Sequence, residues 1–142
     1  MLNKVLTVHL KKLAVGIKSI ENLKERQQFI IDTYGELIHF TRNRPKKAEE
    51  LIDGGSLYWI VNRKVFARQI ILDIKSLIME EGKKSTGIVL QNKLIRVRPV
   101  SMRPFQGWRY YQKSDVPPDI DDDNFSDENN VELSKLGFIS KQ

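Results

Sequence analysis

The chain has 142 residues, 24 Lys and Arg against 18 Asp and Glu for a formal net charge of +6, and 40% hydrophobic residues. This is the size and balance of one globular domain with one modest core. The sequence holds no cysteine, which excludes a disulfide scaffold, a thiolate zinc or iron–sulfur site and a cysteine nucleophile; no apolar run nears the roughly 20 residues that cross a bilayer, and Met1–Lys4 does not open a signal peptide.

Val5–Leu10 reads as a short strand that extends toward Leu13. After Gly16, Ser19 caps a helix running to about Asp32, with Ile20, Leu23, Ile30 and Ile31 on its apolar stripe and Tyr34-Gly35 as its end. Leu37–Thr41 is a second strand. A second helix starts at Pro45, where proline is favoured at the first helical position, carries Ala48, Leu51 and Ile52 inward, and stops at Gly54-Gly55. Ser56–Val61 is an aromatic and branched strand. Residues 65–78 fit either period, but their branched residues favour a strand with Phe66, Ile70, Leu72, Ile74 and Ile78 on one face. A turn at Glu81–Lys83 leads to strands over Thr86–Leu90 and Leu94–Val100, joined near Asn92-Lys93, and Gly107–Tyr111 is the last strand. The expected fold is α+β, a small, mostly antiparallel sheet or partial barrel with two packed helices over residues 1–113.

From Ser114 the composition turns to Pro, Asp, Asn and Ser. Residues 114–130 are expected to be loosely held, and residues 131–142 to carry a short terminal helix stopped by Gly137. Residues 1–114 hold 22 Lys and Arg against 10 Asp and Glu, and residues 115–142 hold 2 against 8. A basic body with an acidic tail suits a polyanion partner and a tail that competes for it.

Several constellations bear on chemistry. Arg42, Arg44, Lys46 and Lys47 form the densest basic group, at the entry to the second helix. Tyr58 and Trp59 follow the double glycine, Arg68-Gln69 lies beyond them, and Arg103, Gln106, Trp108 and Arg109 fall in one aromatic stretch. Aromatic faces stack on bases, arginines bind phosphate, and a glutamine can read a base edge. In a strand, however, Tyr58 and Trp59 point to opposite faces, so each pair divides between core and surface. Gly54-Gly55-Ser56 has neither phosphate-loop nor nucleophile-elbow spacing. His9 and His39 lack zinc-ligand spacing, each lies in an apolar strand, and no metal or cofactor is expected.

His9–Gly16, Arg44–Val61 with its Gly-Gly-Ser-Leu-Tyr-Trp core, Arg68-Gln69, and the Pro-Phe-Gln-Gly-Trp-Arg-Tyr segment at 104–110 occur in that order. Together they resemble DUF1489, an alphaproteobacterial family of unknown function. The Glu132–Gly137 ending is similar too, whereas Asn62-Arg63-Lys64 stands where the family has a Lys-Gly type of turn. The resemblance implies a cytoplasmic bacterial protein and no catalytic residue. The element order is also similar to RNA-binding pseudobarrels of the PUA and ASCH type, a fold-level analogy.

Three functions follow as expectations. One is a small module binding RNA or a modified nucleotide. Another is a small enzyme acting on a nucleotide or anionic metabolite, with Asp53, Asp73 or His39 as the acid–base group. The third is an interaction protein that has no ligand of its own and docks a protein partner through its C-terminal tail.

Overall fold

A computed structural model describes residues 7–120. Their order is β1 (His9–Leu13), α1 (Ile20–Tyr34), β2 (Ile38–Thr41), α2 (Ala48–Ile52), β3 (Ser56–Val61), β4 (Lys64–Ile78), β5 (Lys84–Leu90), β6 (Ile95–Ser101) and β7 (Trp108–Tyr111). The fold is α+β, with a mixed, mainly antiparallel sheet and two helices. Strands follow the path β2-β5-β4-β3-β1-β7, and β6 pairs with β4 off this path. The β1–β3 pair is parallel, and it needs the long crossover that α1, β2 and α2 supply.

Local chemistry sets the boundaries. At the start of α1 the Ser19 hydroxyl accepts the Asn22 N–H at 3.0 Å, and the Asn22 side chain accepts the Lys18 N–H at 3.2 Å. Gly35, at φ 80°, ends the helix by donating its N–H to the Ile31 carbonyl. Pro45 is not the first residue of α2, which starts three residues later at Ala48 and is only five residues long. Gly55 admits no side chain, because a Cβ there would overlap the Leu51 and Val8 carbonyl oxygens. Asn62 and Arg63 both take positive φ, 52° and 64°, so the β3–β4 hairpin closes through a type I′-like turn with arginine where glycine is usual.

β4 is one strand of 15 residues, but its buried face differs from the expected one. A bulge between Trp59 and Ile60 of β3 skips Phe66, and a second register shift falls between Ile71 and Asp73. Ala67, Gln69, Ile71 and Ile74 therefore face inward, while Leu72 is 51% and Ile78 78% exposed. An inserted residue reverses which parity faces the core. The first half of β4 lies between β3 and β6, and the second half pairs with β5.

Each face of the sheet carries its own apolar cluster. Leu10, Leu57, Trp59, Ile71 and Ile88 pack with Leu23 of α1 and Leu51 of α2. On the other face Tyr58, Ile60, Val65, Val97 and Tyr111 pack together beneath Met102, Phe105 and Val116. The start of the acidic segment is held rather than loose: Arg98 N–H donates to the Pro118 carbonyl, Ile120 N–H donates to the Arg96 carbonyl, and Asp119 bridges Val97. The rest of that segment and the expected terminal helix lie outside the described residues. No described helix is long and apolar enough to cross a membrane.

Candidate functional site

Alternation along β1 sends Leu10 and Lys12 toward the helices, an unusual place for an ammonium. Lys12 is the register partner of Trp59 on β3 and of Trp108 on β7, so it lies between the chain's two tryptophans. It lines a cavity of about 100 Å³ whose walls include Leu13, Ile17, Leu23, Leu37 and Leu90, with Arg26 and Gln27 from α1 and His39 from β2. Half-buried Lys12 has no ion pair or hydrogen bond among the described residues, and loss of hydration lowers its pKa. Arg26, exposed and lining the same cavity, likewise has no partner among the described residues.

His39 stands edge-on to Trp59, ring centroids 5.3 Å apart and planes at 90°. Its Nε2 is closed to solvent without a hydrogen-bond partner. Burial, then the Lys12 charge, hold its pKa down to about 4, so the ring is neutral at pH 7. A histidine with a lowered folded pKa contributes stability that is full above the unfolded value of 6.5 and is lost as pH falls toward 4. Between those limits the protein is expected to lose about 3 kcal/mol through His39. Urea melts of wild type and His39→Leu across that window check this. The variant should lose most of the slope, leaving a smaller part from His9, whose pKa is also lowered by burial and then by Arg68 and Lys113.

The cavity wall is fixed by a closed amide network. The Gln69 side-chain oxygen accepts the Trp59 indole N–H at 2.8 Å and the Gln27 amide N–H at 2.7 Å. Its nitrogen donates to the Gln27 side-chain oxygen at 3.0 Å and to the Gln91 carbonyl at 3.2 Å. These four bonds exhaust the capacity of a primary amide.

The two ends of the strand path meet beside Lys12. Trp108 Nε1 donates to the Asn43 carbonyl at 3.0 Å, just beyond β2, and the Tyr110 hydroxyl accepts the Lys47 N–H at 3.1 Å. No backbone ladder joins β2 to β7 among the described residues. Arg42, Gln106 and Trp108 line an open groove at this seam. The exposed Arg42 has no partner among the described residues, and Lys47 Nζ lies 5.4 Å from the centre of the Tyr110 ring.

The structure thus gathers Arg42, Lys47, Gln106 and Trp108 and disperses the rest of the expected set. Trp59, 4% exposed, and Gln69, fully buried, are core groups and offer no face or edge to a base from outside. Tyr58 is buried on the opposite face, edge-on to His9 and Tyr111. Arg68 is spent inside the chain: Nε and Nη2 each donate to the Asp119 carboxylate at 2.8 Å, and Nη1 donates to the Ser56 hydroxyl at 2.8 Å. Arg44 is a strut, donating to the Ile74 carbonyl at 2.9 Å. Arg103 lines a separate groove with Arg63 and Lys64, and Arg109, on the face away from the cavity, lies 4.4 Å from the centre of the Phe105 ring. Lys46 is exposed and lines neither the cavity nor the seam groove. Five-residue α2 adds little dipole to that basic entry.

The two histidines do not meet. His9 Nδ1, on the far face, accepts the Ser56 N–H at 3.0 Å. Asp53 caps α2, and Asp73 accepts the N–H of its neighbour Ile74, so neither carboxylate reaches the cavity.

Residues 10–139 match the family described as "Protein of unknown function (DUF1489)". The chain belongs to that family. Among solved structures, a ZmASCH mutant protein from Zymomonas mobilis is similar at a TM-score of 0.48 and 11% identity, over 75% of this chain and 90% of that one. No curated protein matches the chain.

Sequence reasoning missed Lys12, Arg26 and Gln27 in this DUF1489 chain and gave His39 only a possible acid–base role. One signal was present: Lys12 shares the parity of Leu10, so a charge stands on the apolar face of a strand. Arg26 and Gln27 gave no such signal, because α1 looks amphipathic with or without a cavity beneath it.

Proposed function

We propose that the chain binds RNA or a nucleotide in the cytoplasm, with phosphate on Lys12, Arg26 and Arg42 and a base against Trp108 in the seam groove beside Lys12. One observation carries this reading. Lys12 is a half-buried ammonium with no counter-charge among the described residues, placed between two tryptophans at an open cavity. Taking a charge out of water without a partner is costly, and an anionic ligand supplies the partner. The basic body adds the long-range attraction.

Intrinsic fluorescence tests this directly, since Trp59 lines the cavity and Trp108 the groove. Titration with single-stranded RNA and with nucleoside monophosphates at low salt should change the emission. The RNA affinity should fall with salt at a log–log slope of about −2, as expected for roughly three phosphate contacts on a single strand. Arg42→Ala should make that slope shallower by about one contact. Absence of binding at low salt, or an affinity indifferent to salt, would falsify the proposal.

A further inference from the structure

Lys12 differs from its neighbouring lysines. Lys75 pairs with Glu36 at 2.8 Å, Lys11 lies 4.7 Å from the centre of the Tyr111 ring, and Lys47 lies over Tyr110. Lys12 has no such partner among the described residues and stands in a largely apolar cavity. Desolvation favours the free amine over the ammonium, and a free amine is the nucleophile. Among the described residues no carboxylate lines the cavity to hold the proton on Lys12.

We propose that Lys12 forms an imine with an aldehyde or ketone that also carries a phosphate or carboxylate, with Arg26 holding the anionic group. This goes beyond reversible ligand binding. The Lys12 ammonium first loses a proton to solvent. The amine nitrogen then bonds to the carbonyl carbon, and the π electrons move to oxygen. After proton transfer from nitrogen to oxygen, solvent acid returns a proton to the carbinolamine hydroxyl. That group leaves as water, and a protonated C=N bond remains. No oxidant or reductant is consumed.

The test is reductive trapping on the full chain with pyridoxal 5′-phosphate or glyoxylate and cyanoborohydride, followed by peptide mapping. One adduct per chain is expected, on Lys12, formed roughly tenfold faster than on any other lysine. Its rate should rise at a lower pH than those of the surface lysines, and inorganic phosphate should slow it. Lys12→Arg, which keeps the charge and removes the primary amine, should lose this adduct and leave the slow ones. Adducts spread evenly over the lysines, or a preferred adduct that survives in Lys12→Arg, would overturn the proposal.

Discussion

Replacing Lys12 by methionine is expected to abolish most ligand affinity while making the protein more stable. An ordinary core residue cannot do both. Methionine keeps the length of the side chain and removes the charge. The anion loses a charge-assisted hydrogen bond at a partly desolvated site, so affinity should drop roughly ten- to a hundredfold. The free protein loses a half-buried ammonium without a counter-charge, so its melting temperature should rise. The pH dependence separates this from simple repacking. Lys12 has its folded pKa lowered by loss of hydration, so its penalty on folding is full below the folded value and vanishes as pH rises toward the unfolded 10.5. The advantage of Lys12→Met should therefore shrink in strong alkali. Tyr58, held up to about 12 chiefly by burial, acts oppositely. Its stabilisation is lost as pH climbs past 10, in both proteins alike, and cancels in the comparison. Paired thermal melts and titrations of the two proteins decide the matter. A Lys12→Met protein less stable than wild type, with unchanged affinity, would make Lys12 a packing residue.

Gln69→Leu is expected to cost the most stability of any single change at the site, about 3–5 kcal/mol. The substitution is close in volume, so the effect comes from polarity. It strands the Trp59 indole N–H, the Gln27 amide and the Gln91 carbonyl around an apolar side chain. Each orphaned buried group costs about 1–3 kcal/mol. Trp59 loses what fixes its ring against His39, so binding should weaken as well. Urea denaturation with fluorescence of the ligand-saturated and free protein measures both. A loss below about 1 kcal/mol would mean that water or rotation replaces the amide's bonds. The contrast with Lys12→Met is the useful one: both lower affinity, but only one should raise stability.

The strands and helices were legible because their signals are local. Ser19 and Gly35 bound α1 through hydrogen bonds to residues three and four positions away. The branched run Ser56–Val61 reads as a strand whatever it pairs with. The buried face of β4 was not legible, because the bulge at Phe66 and the shift before Asp73 arise only when β3 and β5 lie alongside. Bulges move parity without changing composition.

The candidate site divides in the same way. By itself the sequence determined an α+β chain with a basic body, and it named Arg42, Gln106 and Trp108 as candidates, which the fold then brings to one groove. Tertiary structure alone decided that Gln69 closes an amide network with Gln27, 42 residues away. It also decided that Asp119 neutralises Arg68 across 51 residues, and that Lys12 shares a cavity with His39 and has no partner among the described residues. Residue type states what a side chain can bond to. Whether that capacity is spent inside the chain depends on which distant groups the folded sheet brings within about 3 Å, and pattern along the chain carries no record of that distance.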